Sequence, residues 1–189
     1  MYRVQSILFV PRKDQCSICT QYKRDTANVT ETDEIQVYEK HIQQKNRAQQ
    51  EKQNDKRMSA NDDTCRMATF YMQNILQLPT SDVGPLYYKR KLVLHYFTIY
   101  ESSKPNAGFC YLWPETVGKR GANEIGTCLF QYLQSLDPKV KHVIFFSDSC
   151  SGQNRNQYVS SLMLYAVQTL PVKVIDHKFP VPGHTIDGM

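Results

Sequence analysis

The stretch "HVIFFSDSCSGQNRNQ", His142–Gln157, decides the fold. An almost unbroken apolar run enters an aspartate and then a small polar turn with one glycine. Apolar residues without alternation are the pattern of a short strand covered on both faces. Asp148 therefore stands at the carboxyl end of a buried strand. At that edge open α/β sheets gather loops and helix N-termini into one crevice.

Helical spacing flanks this strand on both sides. Before it, "GANEIGTCLFQYLQSLD" places Ile125, Leu129, Tyr132, Leu133 and Leu136 on one face. After it, "NRNQYVSSLMLYAVQTL" predicts a second amphipathic helix, ended by Pro171, and "VKVIDHKFPVPGH" a last strand and loop. Further upstream, "CRMATFYMQNILQLP" is an apolar run ended by Pro79. "LYYKRKLVLHYFTIYES" has the aromatic and β-branched residues of a long strand, and "AGFCYLWPE" reads as its hairpin partner across "SSKPNAG". The order β-β-β-α-β-α-β implies an α/β domain with a mixed sheet and flanking helices. It resembles the order of the ribonuclease H-like fold.

The N-terminal third has another texture. From Thr30 to Asp63 the chain is polar and rich in Gln, Lys and Glu, with Ile35, Tyr38 and Ile42 as a thin apolar stripe. This predicts one long, mostly solvated helix, able to present that stripe to a protein partner. A boundary is expected after it, giving an N-terminal segment 1–63 and a core 64–189. The chain stops soon after the last strand, without a third helix, so the core is expected to be incomplete at its C-terminus.

Composition bounds the function classes. The 189 residues carry a net charge of +5, spread thinly, which permits nucleic-acid contact without requiring it. No run approaches the roughly 18 apolar residues of a membrane span, and the N-terminus lacks a small-residue cleavage site. The six cysteines then read as thiols or metal ligands rather than as a disulfide framework, which points inside the cell. The nucleus is favoured over the cytoplasm.

Asp148 has two readings. One is a ligand for Mg²⁺ or Mn²⁺, which would activate water at a phosphodiester and needs further carboxylates. The other is a plain turn or cap residue. Glu124, in the first turn of its helix, is the candidate second ligand, against a helix-dipole role; Glu115 is a weaker substitute. His184 and Asp187 in "PGHTIDGM" are candidates to complete the site. Gly152, Gln153 and Asn154 form a polar turn suited to contacting phosphate or orienting the carboxylate, although Asn154 or Asn156 capping the following helix is the commoner use; Gln153, Asn154, Arg155 and His184 are the candidate nucleic-acid contacts. Cys16-Ser17-Ile18-Cys19 has the spacing in which two thiolates on a tight turn share a zinc ion. His41 is the best third ligand and Cys65 a candidate fourth. Metal-free thiols and a redox pair compete, the latter without its usual βαβ context.

Seven motifs in one order carry a resemblance: "PRKDQCSIC", "YEKHIQQKNRAQQEKQNDK", "MQNILQLP", "YYKRKL", "LWPETVGKRGANEI", "FFSDSCSGQNRN" and "HKFPVPGHT". Together they resemble a large family of transposon-derived, ribonuclease H-like domains in animals, over nearly the whole chain. The resemblance implies a DDE-type transposase ancestry. It maps the central catalytic aspartate to Asp148, the knuckle thiolates to Cys16 and Cys19, and a helix histidine to His41. It also implies an aspartate in the first strand where this chain has Tyr71, and a last acidic residue somewhat beyond the position of Asp187. The expected function is a transposase-derived, ribonuclease H-like protein with impaired catalysis that is able to bind nucleic acid, DNA being the candidate partner. An active metal-dependent nuclease or strand transferase and a zinc-stabilised protein-interaction module are its rivals. Oligomeric state is left open.

Overall fold

The computed structural model describes residues 16–25, 32–80, 83–102 and 107–181. Their elements run α1 (Ser17–Asp25), α2 (Thr32–Asn61), β1 (Cys65–Met72), β2 (Leu76–Leu78), α3 (Gly84–Tyr87), β3 (Leu92–Glu101), β4 (Ala107–Pro114), α4 (Ala122–Ser135), β5 (His142–Phe146), α5 (Gln157–Thr169) and β6 (Val174–Lys178). No described helix is long and apolar enough to cross a membrane. The chain divides into two compact units between Arg47 and Ala48, inside α2 rather than after it.

The larger unit, Ala48–Pro180, is built on one mixed sheet. β3 lies antiparallel between β1 and β4, while β5 runs parallel to both β1 and β6. β2 follows β1 along the same neighbour: Met72 faces Phe97 and Leu76 faces Leu94, so the register along β3 slips by one residue at the bend. The expected mixed α/β sheet with flanking helices is formed. The first apolar run is interrupted at Gln73–Ile75, and the short α3 occupies ground read as the start of the long strand.

Alternation in β1 and β5 supplies two buried layers. Ala68, Phe70, Val143 and Phe145 join Phe97 and Ile99 beneath α4 and α5, which contribute Ile125, Leu129, Tyr132, Leu133, Val159 and Ala166. The opposite face of the same two strands buries a small cluster of Cys65, Met67, Ile144 and Phe146. The second half of α2 shelters that cluster with polar side chains. Lys52 holds its ammonium 5.9 Å from the Phe146 ring centroid, and Asp55 pairs with Lys178 at 2.6 Å. Long cationic side chains can cover apolar surface in this way while keeping the charge near water. A strand buried on both faces is what the unbroken "HVIFF" run requires.

The smaller unit holds α1 and the first half of α2. The rings of Tyr22 and Tyr38 stack with centroids 3.8 Å apart and planes 3° from parallel. Of the thin apolar stripe only Ile35 is exposed; Ile42 is half-buried.

Candidate functional site

The carboxyl edge of β5 and β1 is built around Asp148. The Cys150 carbonyl accepts the N–H groups of Gln153, Asn154 and Arg155 at 3.2, 2.8 and 3.0 Å, which curls residues 148–155 into a tight turn. Asp148 Oδ1 closes the turn, accepting the Cys150 N–H at 3.0 Å and the Asn154 side-chain amide at 2.7 Å. Asn156 then caps α5, its Oδ1 accepting the Val159 N–H at 3.0 Å. Both readings of the polar turn are thus partly used: Asn156 is the cap, and Asn154 orients the carboxylate. Asn154 is 1% exposed, so it is a positioning residue and not a surface contact.

Behind the turn, buried Ser147 donates to the Asp148 carbonyl at 2.9 Å and meets His177 Nε2 at 2.8 Å. With the hydroxyl proton committed, His177 donates from Nε2. Burial pushes the His177 pKa down to about 4, so the ring is neutral. It packs against Phe70 and Phe179, and the Arg155 guanidinium lies over the Phe179 ring at 5.5 Å.

A chain of hydrogen bonds ties this edge to the antiparallel strands. Gln153 donates to the Arg120 carbonyl at 3.2 Å, and Arg120 to the Gln73 carbonyl at 3.0 Å. Gln73 in turn donates to Thr98 Oγ1 at 3.0 Å, and Thr98 to the Tyr71 carbonyl at 3.3 Å. Nothing in the sequence pattern singled out Arg120, Gln73, Ser147 or His177, because each acts through tertiary neighbours rather than through a motif.

Glu124 is committed elsewhere. Its Oε1 accepts the Lys119 N–H at 2.8 Å and its Oε2 the Gly121 N–H at 3.2 Å, satisfying donors at the start of α4. The Lys119 bond above all holds its carboxyl below the usual carboxylate range. Glu115 pairs with Arg90 at 3.3 Å. His184 and Asp187 lie outside the described residues. Among the described residues, no group of three His, Cys, Asp or Glu side chains that could hold one ion includes Asp148. One oxygen of Asp148 is already committed to two donors, and divalent-metal chemistry at this edge needs further carboxylates beside it.

The ligand-like cluster lies in the smaller unit. Donor atoms of Cys16, Cys19 and His41 all fall within 4.8 Å of one another, close enough to bind a metal ion. Cys16 Sγ is 3.1 Å from His41 Nε2, and both residues are buried. The spacing acts through a helix start rather than the simple turn expected: the Cys16 carbonyl accepts both the N–H and the hydroxyl of Thr20. Burial and the adjacent Cys16 raise the Cys19 thiol above its ordinary value. Cys65, weighed as a fourth ligand, instead belongs to the apolar cluster of the sheet, where burial pushes its thiol up to about 11. No protein-family model, curated protein or solved structure matches the chain.

Proposed function

We propose that the chain is a ribonuclease H-like protein of transposase descent that binds nucleic acid at the Asp148 edge and has lost metal-dependent catalysis. The observation that carries this reading is a matched register. β1 and β5 pair in parallel up to Thr69 and Phe146, and the residues two places further are Tyr71 and Asp148. A carboxylate-based site needs a second hard oxygen ligand beside Asp148, and this is the neighbouring position from which the first strand would offer one. A phenol with a pKa near 10 is no such ligand at neutral pH. The antiparallel pairing among β1, β2, β3 and β4, followed by alternating helices and parallel strands, supports the fold assignment, and Lys119, Arg120 and Arg155 around the edge support a phosphate-bearing ligand.

The test is binding to a short duplex DNA at low salt, with cleavage assayed in Mg²⁺ and Mn²⁺. The parent is expected to bind, to weaken steeply as salt rises, and to cleave no better than Asp148→Ala. Duplex binding absent even at low salt overturns the reading. So does cleavage by the parent that the Asp148→Ala variant loses.

Zinc is the proposed occupant of the Cys16–Cys19–His41 cluster, because two thiolates and an imidazole are a donor set that zinc favours over harder ions. The ion would fasten the start of α1 to α2 within its own unit. Purified protein should carry one equivalent of zinc, lost in both Cys19→Ser and His41→Ala. Full thiol reactivity with no bound metal would instead mark a metal-free cluster.

A further inference from the structure

The two outer edges of the sheet are finished differently. β6 closes one of them with charged side chains: Asp176 pairs with His142 at 2.8 Å and Lys178 with Asp55 at 2.6 Å. β4 forms the other, on the side of β3 away from β1 and β2, and among the described residues β3 is its only strand neighbour. Its sequence, "AGFCYLWP", holds no Asp, Glu, Lys or Arg, and its proline comes last. Charges and prolines are the usual means of keeping an edge strand from pairing further.

Half of the β4 backbone is unused. In an antiparallel ladder each residue sends its N–H and C=O to the same side, and successive residues alternate. The Tyr96 carbonyl accepts from Gln73, and Ser102, just past β3, donates to Met67, so the even-numbered residues of β3 face β1. The Val93 carbonyl accepts from Glu115, so the odd-numbered ones face β4. Their partners on β4 are Trp113, Tyr111 and Phe109, opposite His95, Phe97 and Ile99. Gly108, Cys110 and Leu112 therefore direct their backbone groups off the sheet. All three residues are exposed, and among the described residues no hydrogen bond reaches those groups.

We propose that a second copy of this chain pairs with this edge, β4 antiparallel to β4, with the two-fold axis at Cys110. The strand is complementary to itself in that register. Gly108, where a side chain would meet nothing within 4 Å, stands opposite Leu112 of the second copy, and Leu112 is 57% exposed. On the helix side, half-buried Phe109 meets Tyr111 of the second copy, and Ala107 meets Trp113, so each ring finds a ring or a methyl group. Moving the axis by one residue, to Phe109 or Tyr111, takes Leu112 off Gly108. The three facing pairs of outward residues exchange about six backbone hydrogen bonds, two per pair. A peptide from another protein would gain those bonds without side chains matched by symmetry, and a nucleic-acid strand cannot complete a β-ladder. Isologous two-fold pairing is also the commonest association of identical chains. The proposal does not depend on the nucleic-acid reading above.

The test is sedimentation velocity over a range of concentrations, on the full chain and on Gly108→Val, Leu112→Lys and Leu78→Lys. The Val side chain enters open space, and Leu78 and Leu112 are exposed, so all three variants should fold; circular dichroism checks this. The parent is expected to form a dimer. Gly108→Val fills the space that Leu112 of the second copy needs, and Leu112→Lys puts a charge on the edge. Each should raise the dimer dissociation constant about tenfold or more. Leu78→Lys puts the same charge on the same face of the sheet but on β2, away from this edge, and should leave the dimer unchanged. A parent that is monomeric at every concentration overturns the proposal, and so does a dimer that survives both edge variants. Loss of the dimer in Leu78→Lys would overturn it too, because the contact would then be the leucine-bearing face of the sheet rather than its edge.

Discussion

Tyr71 and Asp148 each lie two residues past Thr69 and Phe146, the last paired couple of β1 and β5, Tyr71 still within β1 and Asp148 in the turn that follows β5. The Asp148 carboxylate is already steadied by the Asn154 amide, so what a divalent-metal site needs there is a further carboxylate rather than a scaffold. Tyr71→Asp should supply it. The expected outcome is a rise in melting temperature with Mn²⁺ that the parent does not show, since an ion that binds only the folded state stabilises it by mass action. In chelator the same variant should be slightly less stable than the parent, from repulsion between two carboxylates. Adding Asp148→Asn should abolish the Mn²⁺ response. An equal response in the parent would mean that the ion binds elsewhere.

His177 gives the fold an acid limit. Burial lowers its pKa to about 4, below the ordinary value of 6.5, so the unfolded chain takes up a proton that the folded chain resists. Stability from this group is complete above the unfolded pKa and is lost as pH falls from about 6.5 to 4. The loss is about 3 kcal/mol at most, because each pH unit between the two values is worth about 1.4 kcal/mol. Urea denaturation across this window should show the slope in the parent and lose most of it in His177→Gln. A slope that survives the substitution would place the titrating group elsewhere.

How much of this was legible depended on whether a residue acts through its own periodicity or through distant neighbours. "HVIFF" read correctly as a doubly buried strand because burial on both faces erases alternation, and the structure buries Val143 and Phe145 on one side and Ile144 and Phe146 on the other. The Cys16–Cys19 spacing was legible because it is local, whereas His41, 25 residues from Cys16, could only be offered as a ligand from its place on the polar helix. By contrast, the half of α2 that shelters the sheet looked solvated, because it does so with Lys52, Asp55 and Ser59 rather than with apolar residues. Glu124 was ambiguous in sequence because a first-turn acid serves a helix terminus and a metal equally well. Only the positions of the Lys119 and Gly121 N–H groups showed which use it has.

The Glu101–Tyr132 contact joins β3 to α4 within the main apolar layer. Tyr132 is fully buried, Glu101 is 7% exposed, and the phenol donates to the carboxylate at 2.7 Å. Burial, and then the Glu101 charge, raise the Tyr132 pKa far above its ordinary value, so the hydroxyl keeps its proton. Removing the donor leaves a buried acceptor without that partner, at a cost of about 2 kcal/mol for a hydrogen bond to a charged group. Tyr132→Phe should therefore lower the unfolding free energy by that amount, read from urea denaturation, although it adds no cavity. The double variant Tyr132→Phe/Glu101→Leu should recover part of the loss, because it removes the stranded carboxylate as well. A neutral Tyr132→Phe would show that the carboxylate is satisfied by other groups.

Gly126 offers the opposite sign. It is buried in the interior of α4, where a glycine costs about 1 kcal/mol relative to alanine through the freedom it loses on folding. A Cβ at this position would lie 3.7 Å from Leu162 Cδ2, an ordinary van der Waals contact between α4 and α5. Gly126→Ala should thus stabilise the fold by about 1 kcal/mol, read as a higher urea midpoint with an unchanged slope. The space admits one methyl group and little more. Gly126→Leu should accordingly destabilise by about 1–3 kcal/mol, as the added atoms drive Leu162 from its place. If alanine also destabilised, the separation of α4 and α5 would have to be smaller than the Leu162 contact implies.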